Sequence, residues 1–492
     1  MYTEGVKHSH HIKIGFVVLA FGLCGFFVYR SLYAEFGKIS YSNIENTFLN
    51  KNLEEKKSSV YKKIEGLLMF RGNPTRNWYG VGPVPTNPEV LWRYPDKRMC
   101  SFSHVYGETK EWCGNGWTGE PVVWEREDGI TEVIFGAYDG KVHFVNAETG
   151  KDTRTPFPTG DLIKGSVTLD PDGYPFLYFG SRDNYLRILD LSTDTPVEIW
   201  NKSSLDDKGM WNNDWDSNPV VIDDILYEAC ENGFFYAFKL NRKVENGVAS
   251  VAPELLFKKE VYTDELVKNT GSMQSIESSI LVVNKVAYMA NSGGRIVGFD
   301  ISQIEMGVAP IVFDFWTGDD TDATLVSDED GMIYASVEYE RFNARSRELG
   351  QLIKLDPTKP DPYVWGIPIR EKGDSTVGGI WATPALYKNY LYVPTHNGEL
   401  LAVDMKAGSV AWKDDVGFHA WGSPSVVDDK LIVPTCEEGS IRMYSLENPG
   451  SPQLKWNIKA GAGCIESTPA VWKNHIFVGS RDGFFYKIGE KI

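Results

Sequence analysis

Eight copies of a strand, strand and turn unit, spaced 40 to 60 residues apart, predict an all-β fold with eight propeller blades. Each copy begins with a short apolar strand and continues with a second one. A tight turn with glycine follows in most copies, as at Asp139-Gly140 and Asp482-Gly483. Glycine supplies the positive φ that such hairpin turns need. The last copy stops after its third strand, at Gly489, so we expect another part of the chain to complete the ring.

The copies align on one position at the start of the first strand, and a tryptophan follows on the predicted fourth strand of several copies. The aligned positions are Pro121, Ser166, Pro219, Ser279, Thr324, Pro384, Pro424 and Pro469. The fourth-strand tryptophans are Trp200, Trp365, Trp412 and Trp456. Residues 89–94 form a lone predicted strand whose Trp92 has the same Leu-Trp setting. We expect this strand to complete the eighth blade, because closure removes an exposed sheet edge.

The composition limits the classes of partner. The formal net charge of the 492-residue chain is −17, and an acidic surface repels phosphate backbones, so we expect no nucleic-acid partner. The same charge keeps a large β-surface soluble and blunts its strand edges. The six cysteines include no Cys-x-x-Cys pair and no histidine cluster accompanies them, which argues against a zinc site.

Two pairs of cysteines are candidates for disulfides. Cys100 and Cys113 flank a loop before the first copy, and we expect them to be bonded if the domain is exported and free otherwise. The aromatic loop that they close is a candidate lid or partner-docking surface, or a plain cap over the closure of the ring. Cys436 and Cys464 fall on adjacent blades, and we expect free buried thiols there, with a disulfide as the alternative.

The N-terminal region predicts a single membrane anchor at residues 14–34. Residues 14–29 are uncharged and are flanked by Lys13 and Arg30, whose side chains can snorkel to the interface. The basic residues before the segment predict that residues 1–13 stay in the cytoplasm. The alternatives are a signal peptide, although residues 32–34 make a poor cleavage site, and a buried helix. The first two readings place the remainder outside the cytoplasm, in the periplasm or the extracellular space.

A stalk is predicted between the anchor and the propeller. Residues 35–69 are polar, free of proline and carry loosely helix-spaced apolar positions. We expect a helical or flexible stalk there, or a plain disordered linker. The propeller is then predicted to span residues 70–492.

The repeats resemble those of the eight-bladed propellers of the pyrroloquinoline-quinone type. The matching features are a first strand like Thr468-Pro469-Ala470-Val471, a Val-Gly-Ser-x-Asp-Gly turn, an aspartate that closes the third strand and a tryptophan on the fourth. They cover roughly residues 89–489. The resemblance implies one of two branches. Quinoprotein dehydrogenases hold the quinone and a calcium ion in the central funnel, whereas non-catalytic members, such as the lipoprotein subunit of the outer-membrane β-barrel assembly machinery, bind protein partners.

The motifs of the dehydrogenase branch are mostly missing from this sequence. There is no vicinal Cys-Cys pair, no Cys-x-x-Cys-His haem site and no cytochrome sequence after the last blade. We therefore expect no cofactor, with the quinone and calcium as the alternative. No nucleophile with a neighbouring base is visible either, so an enzyme is the less favoured expectation.

The predicted funnel face carries aromatic and acidic residues. The start of each first strand and the turn after each second strand lie at the same end of a blade, because an antiparallel pair returns the chain to its starting end. The ligand-binding candidates at this end are Trp117, Asp216, Glu277, Asp322, Trp381, Trp421, Glu466 and His419. Such residues can stack a planar ligand or hold a hard cation. The alternative is that the tryptophans fill space between blades and the acids face channel water.

Two of these carboxylates occupy equivalent positions. Glu277 and Glu466 both follow isoleucine and precede a pair of hydroxyl residues, four blades apart. In a ring of eight blades they would face each other across the axis and either share a cation or merely reflect common repeat ancestry.

The leading expectation is a membrane-anchored, extracytoplasmic propeller that acts as a protein-binding or assembly scaffold, tethered to the membrane through its N-terminal helix. The alternative is a quinone-dependent dehydrogenase or a relic of one. A third possibility is that the aromatic rim binds a glycan.

Overall fold

The computed structural model describes residues 64–105, 107–117, 119–370 and 377–491. The predicted cytoplasmic tail, the predicted anchor at residues 14–34 and residues 35–63 of the predicted stalk lie outside these ranges. Within the described part of the chain, no helix is long and apolar enough to cross a membrane.

Eight antiparallel sheets of at least four strands follow one another along the chain, as the repeats predict. In chain order within each blade, the strands of blades 1 to 4 are Val122–Glu125, Thr131–Ala137, Lys141–Asn146 and Phe157–Pro158; Thr168–Leu169, Phe176–Gly180, Tyr185–Asp190 and Val197–Ser203; Val220–Ile222, Ile225–Ala229, Phe234–Lys239 and Glu254–Glu260; Leu281–Val283, Val286–Ala290, Arg295–Asp300 and Ile311–Trp316. Those of blades 5 to 7 are Val326–Ser327, Ile333–Ser336, Leu352–Leu355 and Tyr363–Ile367; Ala385–Tyr387, Tyr390–Pro394, Glu399–Asp404 and Ser409–Asp415; Ser425–Val427, Lys430–Pro434, Ser440–Ser445 and Gln453–Lys459.

Blade 8 closes the ring with a strand from the beginning of the domain. Its strands are Ala470–Trp472, His475–Gly479 and Phe485–Glu490, and the fourth strand is Pro88–Tyr94, paired antiparallel to Phe485–Glu490. The indole Nε1 of Trp92 donates to the carbonyl of Ala147 in blade 1 over 3.0 Å. The closure predicted from the missing fourth strand is therefore confirmed.

A register shift recurs between the third and fourth strands of blades 2 to 8. An added residue on one strand increases the local twist of a strand pair, so the same bulge in each blade twists the outer strands alike. The shifts fall at Ile188/Leu189, Ala237/Phe238, Gly298/Phe299, Lys354/Leu355, Ala402/Val403, Met443/Tyr444 and Val90/Trp92.

Residues 66–81, which we call the inner belt, run along the first strands of the blades. They lie at the end of the ring opposite to the end at which these strands begin. Its first part, Gly66–Leu67, pairs antiparallel with blade 1, and its last part, Gly80–Val81, pairs parallel with Ala470–Trp472 of blade 8. Between them, the carbonyl of Leu68 accepts from blade 2 and that of Pro74 from blade 4. The chain thus joins the ring at Gly66, four residues before the predicted start of the propeller, because these residues complete inner sheet edges.

Two arginines fix the belt from inside the ring. Arg71 and Arg76 are fully buried, and both have a left-handed backbone, with φ of 56° and 59°. The guanidinium of Arg71 donates to the carbonyl of Thr383 in blade 6, while its backbone N–H donates to the carboxylate of Glu120 in blade 1. Blades 1 and 6 are not neighbours, so Arg71 lies near the axis and the belt closes this end of the channel.

The remaining elements are insertions between strands. They are the hairpin Cys100–Val105 and Glu108–Cys113, the hairpin Lys243–Glu245 and Val248–Ser250, the strand pair Glu338–Tyr339 and Gly378–Gly379, the α-helices Asp264–Thr270 and Ala344–Leu349, and the 3-10 turns Ser204–Asp206 and Ile304–Met306. The insertion after residue 338 forms a short strand and a helix.

Candidate functional site

Hydrogen bonds at one repeated position join neighbouring blades. In the copies aligned at a proline, this position is the residue before the proline, so the predicted alignment was wrong by one residue there. The backbone N–H of the residue there donates to the side-chain hydroxyl of the equivalent residue in the next blade. The bonds run from Glu120 to Ser166 (2.9 Å), Asn218 to Ser279 (3.2 Å), Ser279 to Thr324 (2.9 Å), Thr324 to Thr383 (3.1 Å) and Thr383 to Ser423 (2.9 Å). These seam residues fix where each first strand begins, and therefore where the residues just before it lie.

In blades 2 and 4 to 7, the side chain two positions before the seam residue lies near the axis. Together with Glu466 of blade 8, Trp112, Trp117 and residues from the turns after the second strands, these side chains enclose a cavity of about 190 Å³, which we call the funnel. It is lined by Trp112, Trp117, Tyr138, Lys164, Glu277, Asp322, Trp381, Trp421, Glu466 and Arg481. The belt closes the other end of the channel, so the funnel opens at one face of the ring.

Six of the eight predicted site residues line the funnel. They are Trp117, Glu277, Asp322, Trp381, Trp421 and Glu466. The other two lie directly behind the lining: Asp216 forms a salt bridge with Lys164, and His419 stacks on Trp421 with ring centroids 5.0 Å apart. The structure thus brings all eight together, while a ligand-binding role for them stays a prediction.

One wall of the funnel, formed by blades 2 to 5, is charged. Lys164 forms salt bridges with Asp216, with Glu231 over 3.5 Å and with Glu277 over 3.4 Å. Burial alone would lower the pKa of Lys164, but these carboxylates outweigh it and hold the pKa well above its ordinary value. Lys164 therefore acts as the central cation of this carboxylate cluster.

The sequence analysis missed Lys164, although a signal for it exists. The stretch Ile163-Lys164-Gly165-Ser166 has the same frame as Ile276-Glu277-Ser278-Ser279, with a lysine where the later blade has glutamate. A search for any charged residue at this position, rather than for acids and aromatics alone, would have found it.

Glu277 and Glu466 each have their own cation. Glu277 faces Lys164, whereas Glu466 accepts from Nη1 of Arg481 over 2.9 Å. The Arg481 guanidinium also lies over the rings of Trp112 and Tyr138, at 5.0 and 4.7 Å from their centroids. Each of these two carboxylates therefore has its own side-chain cation, while a cation shared between them stays a prediction.

The opposite wall, formed by blades 6 and 7, is aromatic. The rings of Trp381 and Trp421 stack with centroids 5.9 Å apart, and the ring centroids of His396 and Trp381 are 4.2 Å apart. Burial, with a smaller effect of His419, lowers the pKa of His396 to about 4. Its imidazole is therefore neutral at pH 7, and Nδ1 accepts a hydrogen bond from Nε1 of Trp421 over 2.9 Å.

A disulfide-closed hairpin lies beside the mouth of the funnel. Cys100 and Cys113 are directly opposite each other at its base and are bonded, which confirms the predicted disulfide. Ser103 on one strand donates to Asp161 of blade 2 over 3.1 Å, and Trp112 on the other lines the funnel. Phe102 points away from these contacts and is 71 % exposed.

Cys436 and Cys464 form a second disulfide, so the expectation of free thiols at these positions was wrong. Cys436 follows the second strand of blade 7, and Cys464 precedes the first strand of blade 8. These two segments converge at the funnel end, and the Cα atoms of the two cysteines are 3.8 Å apart. The bond therefore links blades 7 and 8 across their seam.

The sequence profile of the family described as outer membrane protein assembly factor BamB matches residues 364–483. Within these residues, the match agrees with the resemblance of the repeats to the pyrroloquinoline-quinone type. The match covers nearly all of the fourth strand of blade 5, blades 6 and 7, and the first two strands of blade 8. No curated protein matches the chain in sequence at a significant level.

Solved structures share the fold of this ring at low sequence identity. The quinohemoprotein alcohol dehydrogenase from Comamonas testosteroni is 12% identical, with a TM-score of 0.61 over 87% of this chain and 81% of that one. Sqt1 from Saccharomyces cerevisiae is 11% identical, with a TM-score of 0.55 over 72% and 92%. BamB from Moraxella catarrhalis is 12% identical over 82% and 97%, but at a TM-score of 0.39 that likeness supports no argument. These likenesses show the propeller fold alone.

Proposed function

We propose that this chain is a membrane-anchored, extracytoplasmic propeller that binds protein partners as an assembly scaffold. The observation that carries the proposal is the match of residues 364–483 to a family of outer membrane protein assembly factors. Blades 6 to 8 would then supply the partner-binding part of the ring.

The build of the ring supports a scaffold role. Seam hydrogen bonds, the inner belt and a disulfide between blades 7 and 8 hold the blades in fixed positions. A rigid surface loses little conformational entropy when a partner binds. Around the funnel mouth, the exposed aromatic rings of Phe102 and Phe418 provide the kind of anchor that dominates protein interfaces.

The disulfides support the proposed location outside the cytoplasm. Disulfides persist in oxidising compartments and are rare in the cytosol. We propose that residues 14–34 anchor the chain and that the ring lies on the far side of the membrane. Blocking free thiols in intact cells and then reducing the purified chain tests this location. Cys100, Cys113, Cys436 and Cys464 should become reactive only after reduction; if all four react beforehand, the proposed location is wrong.

Site-specific crosslinking tests the scaffold role. A photoreactive amino acid placed at Phe102 or Phe418 in the full-length chain should crosslink the same partner protein in cells. The matched control is Leu454, which is similarly exposed but lies on the outer strand of blade 7. Equal yields of this adduct at all three positions, or no adduct at Phe102 and Phe418, would count against a partner-binding face at the funnel mouth.

The funnel does not fit the quinone of the dehydrogenase branch. Trp381 and Trp421 offer a stacking surface, but pyrroloquinoline quinone is a carboxylate-bearing anion that needs cations around it. The two cations in the lining, Lys164 and Arg481, are already paired with carboxylates. Burying another anion beside Glu277 and Asp322 would be costly. We therefore propose that the ring binds no quinone.

A direct test adds the quinone and calcium to the purified chain. We expect no bound chromophore and no dye-linked alcohol oxidation. Tight binding of one quinone per chain would overturn the scaffold-only proposal and restore the dehydrogenase alternative.

A further inference from the structure

A second carboxylate cluster lies in blade 5, apart from the cluster around Lys164. Oxygen atoms of Asp320, Glu338 and Glu340 lie within 4.8 Å of one another. Asp320 precedes the first strand of the blade, and its carbonyl accepts from the backbone N–H of Glu338 over 2.8 Å. Glu338 and Glu340 are two residues apart at a short strand, so extended backbone directs both side chains to one face. The local fold therefore gathers these three carboxylates.

Two oxygens of this cluster are buried without a hydrogen-bond donor. The side chains of Asp320 and Glu338 belong to residues that are only 4% and 3% exposed. Neither Oδ1 of Asp320 nor Oε1 of Glu338 accepts a hydrogen bond. A buried carboxylate oxygen without a partner destabilises the folded state, because it has lost its hydrogen bonds to water and has formed none within the protein. Glu340 is exposed and gives the cluster an open side towards solvent.

In the described part of the chain, the second cluster lacks the central cation that the first cluster has. In the first, the ammonium of Lys164 contacts three carboxylates. In the second, the ion pairs of the described residues join Arg341 to Asp320 over 3.3 Å and to Asp319 over 3.9 Å, and none reaches Glu338 or Glu340. The centre of the second cluster thus has no side-chain counterpart of Lys164 in the described part of the chain.

The pKa values of two of these carboxylates are raised. Burial, and next the charge of Asp320, raises the pKa of Glu338 well above its ordinary value. Burial raises the pKa of Asp320 to about 7 despite the nearby Arg341. The site therefore favours any added positive charge.

We propose that Asp320, Glu338 and Glu340 bind one divalent cation of the calcium class. Three anionic oxygens with no nitrogen or sulfur ligand suit a hard cation, and the exposed side leaves room for water to complete the six to eight ligands of calcium. This site lies outside the funnel lining and does not depend on a quinone or on the proposed scaffold role.

Calorimetry and thermal melting of the chelator-treated full-length chain test the proposal, with calcium chloride as the probe. We expect one saturable site in the wild type and a melting temperature that rises with calcium concentration. Glu338→Gln should weaken binding by roughly tenfold or more, as expected for loss of a direct ligand. In chelator, this variant should melt no lower than the wild type, because glutamine keeps the shape of the side chain and carries no charge to desolvate.

Two further variants separate this site from other acidic groups. Glu228→Gln is the matched control, since Glu228 is also fully buried with an unpartnered oxygen, but in blade 3. It should bind calcium as the wild type does. Glu231→Gln probes the cluster around Lys164. If Glu231→Gln rather than Glu338→Gln abolishes binding, or if all variants bind with the same weak affinity, the proposed site is wrong.

Discussion

Removing the guanidinium of Arg76 should destabilise the whole ring, because this side chain ties the inner belt to two blades. It donates from Nε to the carbonyl of Ile280 over 2.9 Å and from Nη1 to the carbonyl of Phe70 and Oδ1 of Asn218, each over 2.7 Å. A fourth, longer bond of 3.3 Å runs from Nη2 to the carbonyl of Asn218. Blades 3 and 4 are therefore joined through one buried residue of the belt.

The expected magnitude follows from the acceptors that Arg76→Met would leave without a donor. Each orphaned buried acceptor costs about 1 kcal/mol at the low end of the measured range, so four acceptors cost about 4 kcal/mol. Methionine meets the same positive φ as arginine, so no new backbone strain adds to this figure, and the space left by the guanidinium can only increase the loss. Arg76→Lys keeps the charge but has a single donor head, and we expect it to lose about 2 kcal/mol.

Urea unfolding, followed by tryptophan fluorescence and by circular dichroism, measures this loss. Both probes are needed, because coincident transitions are the test for two-state unfolding in a domain of this size. The matched control is Arg93→Met, which removes an exposed guanidinium that lies 4.1 Å over the ring of Phe484 and should cost about 0.5 to 1 kcal/mol. A loss below about 1 kcal/mol for Arg76→Met would refute the view that the belt supports the seams.

Three further outcomes are expected. Deleting residues 88–94 should abolish cooperative unfolding of the ring, since loss of the packing of Trp92 alone is expected to cost about 3 kcal/mol; an unchanged melting temperature would disprove closure by this strand. Replacing Cys436 and Cys464 together by serine should lower the free energy of unfolding by about 3 to 4 kcal/mol, because the bond closes a loop of 28 residues. Urea titrations without reductant measure this loss. In the variant, added reductant should cause no further loss of stability through this pair. Burial lowers the pKa of His396 to about 4, so the contribution of its neutral imidazole to stability is complete above pH 6.5 and is lost as the pH falls towards 4. His396→Gln should therefore remove about 3 kcal/mol of the change in the free energy of unfolding between these pH values. An unchanged pH profile of stability would show that the imidazole stays accessible to protons.

The blades could be predicted from the sequence because their signals are local. A hairpin needs glycine at its turn and alternating apolar residues beside it, and both lie within about ten residues of each other. Closure by Trp92 was also predictable, since a blade with a missing outer strand requires a substitute. The position of Glu277 and Glu466 at the funnel followed from counting repeats.

The belt and the second disulfide could not be predicted in the same way. Arg71 and Arg76 contact residues 49 to 312 positions away, and nothing in the local pattern around them distinguishes a buried belt from a surface linker. Cys436 and Cys464 depend on how closely two turns from different blades approach each other. The second carboxylate cluster combines Asp320 with residues of an insertion. Insertions do not follow the repeat pattern from which the other site residues were predicted.

The way the ring closes sets an order for its assembly in time. Tyr94 pairs with Phe485, about 390 residues later in the chain. At translation rates of about 5 to 20 residues per second, the closing strand Pro88–Tyr94 waits about 20 to 80 s for its partner. During that interval blades 1 to 7 can form, but the closing strand and the parallel end of the belt have nothing to bind. The complete ring is therefore the last state to form, only after residues 485–490 have been synthesised.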